Sequence, residues 1–261
     1  MSRKIENAKG LYLEGIRDGK VREAVTKYTG ARYTQHSTGV ADGVEGFVAF
    51  FEPFIERCPV RDISVVRAIE DGQYVFVHVY QDINNGEAKW VTADLFDTDQ
   101  DDRIIEHWDC IQAFEAQTVS GRSMVDGPTE VEDLERTEEN KALVREFCEA
   151  VLVGGQFERV AEFISQTRYD QHNPHVADGL EGFGEHVKDM ASKGIKAQYV
   201  KIHHLMGQGN FVVTLSEVRI DDDDWCIFDI FRVKDGKIVE HWDVQEKILK
   251  DPAQWGNSGK F

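Results

Sequence analysis

The sequence predicts an α+β chain in which one domain plan occurs twice. Three observations carry this: a long internal repeat, helical periodicity at the start of each copy, and strand periodicity through the rest. Tyr33–Phe47, YTQHSTGVADGVEGF, recurs as Tyr169–Phe183, YDQHNPHVADGLEGF, 136 positions later with ten of fifteen residues identical. Arg103–Asp109, RIIEHWD, recurs as Lys237–Asp243, KIVEHWD, at an offset of 134. A unit of that length exceeds the roughly 20–50 residues of a solenoid repeat, so each copy should hold its own core.

The elements follow in the same order in both copies. Residues 4–17 and 139–153 place apolar side chains at helical spacing, with Leu143, Phe147, Ala150 and Val151 as the example, and Gly19 or Gly154-Gly155 ends the helix. Second helices are expected at 21–28 and 157–164, and third helices at 48–57 and 184–192, after the Asp-Gly-x-Glu-Gly-Phe segments. The period then changes to that of strands, over 63–68, 74–82, 88–96 and 104–113 in copy one. Copy two repeats them over 197–203, 211–219, 225–233 and 238–248. Between the copies, TVSGRSMVDGPTEVEDLERTEE is acidic and rich in Gly, Pro and Ser, which reads as a solvated linker. The expected domains are 1–117 and 137–261, joined by the linker 118–136.

Composition narrows the function. Lys and Arg number 30 against 48 Asp and Glu, a net charge of −18 that repels nucleic-acid phosphates and anionic lipid headgroups. No window approaches the ~20 apolar residues of a membrane span, and no secretory h-region stands at the start, so no nucleic acid and no membrane are expected as partners. Cys58, Cys110, Cys148 and Cys226 are far apart and form no CxxC pair, which fits reduced thiols and a cytoplasmic location.

The chemistry is concentrated in the last strand of each copy. Side chains alternate there, so His107 and Asp109 share one face while Glu106, Trp108 and Cys110 share the other, and His241 and Asp243 are arranged alike. If that face curves around a cavity, a carboxylate desolvated by apolar walls gains a raised pKa and can work as a general base. The other reading puts these charges on a solvated face and Trp108 and Trp242 in the core.

The strings YxQHNPxVADGxEGF and DIFRVxDGKIVEHWDVQ, at Tyr169–Phe183 and Asp229–Gln245, resemble the SnoaL-like polyketide cyclase branch of the nuclear-transport-factor-2-like superfamily, and copy one resembles it more loosely. The resemblance implies two cone-shaped domains, each with three helices closing one side of a strongly curved, mostly antiparallel sheet around a largely apolar pocket. It implies an intramolecular aldol condensation without metal or cofactor, with Asp109 or Asp243 as acid/base beside His107 or His241. It also places His36 and His172 at the pocket, with Asp94 and Asp229 on the preceding strand and His78 on the strand before that. Gln35, Gln171, Trp108 and Trp242 complete the expected ligand contacts. The copies depart from one another: copy one has Asp97 where copy two has Arg232, Ser37-Thr38 where copy two has Asn173-Pro174, and His78 where copy two has Leu215.

Two functions follow. One is an aldol-type cyclase, isomerase or related lyase acting on a small hydrophobic carbonyl compound, with copy one favoured because it keeps His36, His78 and His107. The other is a non-catalytic small-ligand-binding protein whose copies form an intramolecular pseudo-dimer or use that contact between chains. A metal centre of His36, His78 and His107 is a third reading, weakened by Leu215 in copy two and by the lack of an HExxH pair, so no metal is expected. His203-His204, Asp221–Asp224, Asp42-Gly43 and Asp178-Gly179 read as surface, hairpin-tip and turn features.

Overall fold

The computed structural model describes residues 2–261. It divides into two compact units, Met1–Ala113 with Leu249–Phe261, and Phe114–Ile248. Both are α+β, each a five-stranded mixed sheet with helices against it, and neither sheet closes.

Unit 1 opens with α1 (Arg3–Gly10), which Ser2 caps by accepting the Ile5 N–H and which runs on as a π-helical stretch, Leu11–Arg17. Ile5, Ala8, Leu11, Tyr12 and Ile16 form its buried stripe, and the helix stops at Gly19, whose φ of 74° suits glycine. Then come α2 (Val21–Tyr28), β1 (Thr29–Gln35), α3 (Gly43–Arg57), β2 (Arg61–Asp71), β3 (Tyr74–Ile83), β4 (Ala88–Thr98) and β5 (Ile104–Ala113). Spatial order is β1-β5-β4-β3-β2, with β1 parallel to β5 and the other pairs antiparallel. Val75, Val77 and Val79 of β3 pack under the helices.

Unit 2 repeats this as α4 (Thr137–Phe147) with a π-helical stretch Cys148–Val153, α5 (Val160–Phe163), β6 (Asp170–Gln171), α6 (Gly179–Ser192), β7 (Ala197–Gln208), β8 (Phe211–Ile220), β9 (Asp223–Lys234) and β10 (Lys237–Lys247). Its order is β6-β10-β9-β8-β7, and β6 again runs parallel to β10. No helix of the described residues is long and apolar enough to cross a membrane.

Three expectations need correction. The sequence gives no alternating apolar signal for β1 or β6, yet these short strands add a fifth, parallel member to each sheet. The first part of the segment read as a solvated linker, through Asp126, is docked on unit 2 instead, while residues 127–130 and 132–135 are exposed. Ser120 Oγ donates to the Gln171 carbonyl, Arg122 pairs with Asp170 and Asp178, Met124 is 1% exposed, and the Asp126 carbonyl accepts from the Trp242 indole. Likewise Leu249–Phe261, expected with copy two, belongs to unit 1.

The repeated Asp-Gly-x-Glu-Gly-Phe segment turns out to be a connector with two steric demands. Gly43 and Gly179 hold φ near 80°, and a Cβ on Gly46 or Gly182 would lie 2.0 or 2.3 Å from the carbonyl oxygen of Ala41 or Ala177. Gly46→Ala and Gly182→Ala should each cost about 1–3 kcal/mol in urea denaturation, since a backbone carbonyl cannot move aside as a side chain can. Unchanged midpoints would show that the loop relaxes freely.

Candidate active site

In copy one the site is assembled from the end of β1 inward. Asp42, next to Gly43 at the start of α3, accepts the Gln35 N–H at 2.7 Å and so fixes the strand end. Gln35 Oε1 lies 2.9 Å from His107 Nδ1, and His107 Nε2 lies 2.9 Å from Asp94 Oδ1. Asp94 also accepts from the Tyr12 hydroxyl at 2.8 Å and from Thr92 at 3.0 Å, and Phe96 stacks on His107. Asp109 stands opposite Asp94 in the β4–β5 register. Ser37 Oγ donates to its Oδ2 at 2.7 Å, and Lys260 Nζ donates to its Oδ1 at 2.9 Å and to its backbone carbonyl at 3.0 Å. A cavity of about 200 Å³ opens above them, walled by Leu11, Phe47, Phe51, Trp90 and Ile111 and floored by Tyr12, Gln35, Asp94, His107 and Asp109.

Copy two keeps the scaffold and changes the donors. Gln171 Oε1 accepts the Asn173 backbone N–H at 3.0 Å and faces His241 Nδ1 at 2.9 Å, so that nitrogen carries a proton. His241 Nε2 lies 3.0 Å from Asp229. Tyr199, from β7, reaches Asp229 at 3.3 Å; in copy one the tyrosine comes from the helix. Asp243 Oδ2 accepts from the Asn173 amide at 2.6 Å and the Gln245 amide at 2.7 Å, while its buried Oδ1 has no partner among the described residues.

Electrostatics separate the carboxylates. Burial pushes Asp94 up, and the facing Asp109 adds to this against the His107 and Tyr12 hydrogen bonds. Burial also opposes charge on Asp109, but the Lys260 ammonium, His107 and the Ser37 hydroxyl outweigh it and hold the carboxyl below its ordinary value. The matched Asp243 is raised, because burial and Asp229 exceed what His241 and two neutral amides return. Burial disfavours charge on His241 too, yet its bond to Asp229 and the Asp243 and Asp229 charges raise it overall.

The structure brings together Gln35, Asp94, His107 and Asp109, and likewise Gln171, Asp229, His241 and Asp243. It does not bring in the other expected residues. His78 is on β3 one position out of phase with Val77, Val79 and Gln81, and its Nδ1 faces Arg67 on the opposite side of the sheet. His36 stacks on Trp108 and bonds Glu106 and the Gly259 carbonyl; His172 stacks on Trp242 and bonds Glu240 and the Ser123 carbonyl. Both pairs are structural, on the face turned from the cavity, because strand alternation sends Trp108 and Trp242 away from Asp109 and Asp243. The trio His36, His78 and His107 is therefore split between two faces. Tyr12, Lys260, Tyr199 and Gln245 were missed, and Lys260 had no signal, being 151 residues from Asp109. Ser37 and Asn173, which differ between the copies, do the same work as donors to the aspartate.

Donor atoms of Asp94, His107 and Asp109 lie within 4.8 Å of one another, as do those of Asp229, His241 and Asp243. That spacing could surround a cation, but both ring nitrogens of each histidine already face protein acceptors, and in copy one an ammonium occupies Asp109.

The SnoaL-like domain family matches residues 12–107 and again 144–241. None of the curated proteins compared matches the chain. Among solved structures, IdmH from Streptomyces antibioticus, provisionally described as a polyketide cyclase, is 15% identical with a TM-score of 0.37, over 42% of this chain and 93% of its own. A provisionally described ketosteroid isomerase from Kribbella flavida DSM 17836 is 18% identical with a TM-score of 0.37, over 45% and 84%. An NTF2-like protein from Burkholderia xenovorans LB400 is 15% identical with a TM-score of 0.34, over 42% and 91%.

The raised His241 has a definite pH consequence. Its pairing stabilises copy two below about pH 6.5, the ordinary histidine value, and that contribution is lost as pH rises through the folded-state value. Imidazole ¹⁵N NMR should find His241 titrating above 6.5, and Asp229→Asn should bring the midpoint down by removing the carboxylate charge 3.0 Å away. An Asp229→Asn protein with an unmoved midpoint would refute the assignment.

Proposed function

Because the chain belongs to the SnoaL-like domain family, which spans both of its copies, we propose that it carries out acid/base chemistry, without a cofactor, on a small hydrophobic carbonyl compound. The observation that carries this reading is the floor of the copy-one cavity. Two buried carboxylates face each other there with their proton affinities pushed apart, Asp109 held ionised and Asp94 raised, beneath apolar walls. Carboxyl pairs separated in this way supply a base and an acid at one pH.

In the proposed cycle Asp109 takes the proton from the carbon next to the carbonyl, and the electron pair of that C–H bond becomes the enolate. Asp94 and Tyr12, which share a hydrogen bond at 2.8 Å, face the developing oxyanion. His107, fixed between Gln35 and Asp94, orients that acid. The enolate carbon then attacks a second carbonyl of the same molecule, forming a C–C bond, and the resulting alkoxide takes a proton; in an isomerisation it is reprotonated at another carbon. Asp109 gives its proton back in either case. Copy two holds the same scaffold with Asp243 as the raised carboxyl. A pseudo-dimer of the two copies within one chain, in the cytoplasm, completes the proposal.

A non-catalytic binding function has one observation in its favour, the ion pair of Lys260 with Asp109, which weakens that carboxylate as a base. Exchange of deuterium into hydrophobic ketones and 1,3-diketones in D₂O distinguishes the two. The wild-type protein should catalyse exchange at the carbon next to the carbonyl, and folded Asp109→Asn should lose about 10²–10⁴-fold, with Asp243→Asn reporting on copy two. Saturable binding of the same compounds with no exchange would establish the binding function. Full exchange in both variants and in the double variant would place the proton chemistry elsewhere.

A further inference from the structure

The segment Leu249–Phe261 crosses unit 1 as an irregular strap, held at several points. The Gly39 N–H donates to the Trp255 carbonyl at 2.7 Å, the Asn257 amide donates to the carbonyls of Ser37 and Val40 at 2.7 and 2.8 Å, and the Gly259 carbonyl meets His36 Nδ1 at 2.5 Å. These anchors set the next residue, Lys260, over Asp109. Its side chain is 4% exposed, and its ammonium spans both the Oδ1 and the backbone carbonyl of that residue.

The duplication supplies a comparison within one molecule. In unit 2 the Ser123 carbonyl meets His172 Nδ1 at 2.7 Å, as the Gly259 carbonyl meets His36 in unit 1. His172 lies 136 positions after His36 and Ser123 lies 136 positions before Gly259, and the residue after the carbonyl is Lys260 in one unit and Met124 in the other. Met124 is 1% exposed and carries no charge, and its Sδ accepts the Glu115 N–H at 3.2 Å. The aspartates differ accordingly: Asp109 Oδ1 takes the Lys260 hydrogen bond, whereas Asp243 Oδ1 is buried with no partner among the described residues.

We propose that Lys260 is a positioning residue of the copy-one site, which locks Asp109 in one orientation as a carboxylate and thereby gives the two copies different proton machinery on the same scaffold. The charged and titratable groups facing Asp109 are His107 on its own strand, Asp94 on β4, Tyr12 on the π-helical stretch, Tyr33 on β1 and Lys260 on the strap. Of these, Lys260 is the one in direct ionic contact, and the depressed proton affinity of Asp109 agrees with its placement. The role in catalysis rests on the acid/base reading above; the effect on Asp109 does not.

The test is therefore made on the full chain without any substrate, by ¹³C NMR titration of the aspartate carboxyls, with Asp109→Asn assigning the signal. An opposite charge at this range shifts a carboxyl about ten- to a thousand-fold in proton affinity. Lys260→Met and Lys260→Gln should raise the Asp109 proton affinity by that factor, and Lys260→Arg should restore most of it. Met124→Lys tests the same claim in the other copy without disturbing unit 1, and should lower the proton affinity of Asp243. Where exchange activity is found, the acid limb of its pH profile should move up in Lys260→Met. An Asp109 titration unmoved in folded Lys260→Met or Lys260→Gln overturns the proposal. Should both of those unfold, an Asp243 unmoved in Met124→Lys overturns it. A moved titration with no activity under any condition leaves the positioning role standing and removes the catalytic reading.

Discussion

Two buried carboxylates stand opposite each other on adjacent strands in each copy, and the surroundings of both sites answer the cost of burying them together. Asp94 pairs with Asp109 across β4 and β5, Asp229 with Asp243 across β9 and β10, and all four are nearly inaccessible to water. Like charges this close in a medium less polarisable than water repel by several kcal/mol, so cations or protons must be brought in. Copy one brings the Lys260 ammonium to Asp109 and a His107 hydrogen bond to Asp94. Copy two brings His241 and neutral amides, and the shortfall appears as a raised Asp243. The difference between the copies is thus a difference of one positive charge, set by a residue outside the sheet.

The same constraint explains why a tyrosine reaches the inner aspartate in both copies from different elements. Tyr12 comes from the π-helical stretch after α1, and Cys148, 136 positions later, has no hydroxyl to offer. Tyr199 on β7 supplies one instead, at the longer distance of 3.3 Å. A buried carboxylate stripped of water needs donors, and their chemistry matters more than their point of origin. Ser37 and Asn173 follow the same logic at the outer aspartate.

Much of this was legible in the sequence. Repeats at offsets of 136 and 134 gave two copies, periodicity gave eight of the strands and the helices, and alternation gave the shared face of His107 with Asp109. β1 and β6 were illegible because a short strand stabilised by its parallel neighbour needs no alternating pattern of its own. His78 was misplaced because the resemblance says which strand a residue occupies, while its face depends on a phase of one residue. Lys260 and the docked segment 114–126 depend on contacts between parts of the chain far apart in sequence, and their polar composition is that of any loop.

Strand alternation also accounts for the recurrence of the whole string Glu-His-Trp-Asp rather than of its acid and base alone. His107 and Asp109 face the cavity, while Glu106 and Trp108, on the other side of β5, hold His36 by a hydrogen bond and a parallel ring contact at 5.0 Å. His36 in turn holds the strap at Gly259, one residue before Lys260. In copy two Glu240 and Trp242 hold His172, and His172 holds Ser123, one residue before Met124. One face of the strand therefore carries the titrating groups, and the other anchors the segment that decides which charge reaches them. A sequence motif records the four residues together. Only the pleat separates them into chemistry and anchorage, and the copies diverge at the end of the anchored segment, where a substitution changes the charge without touching either face.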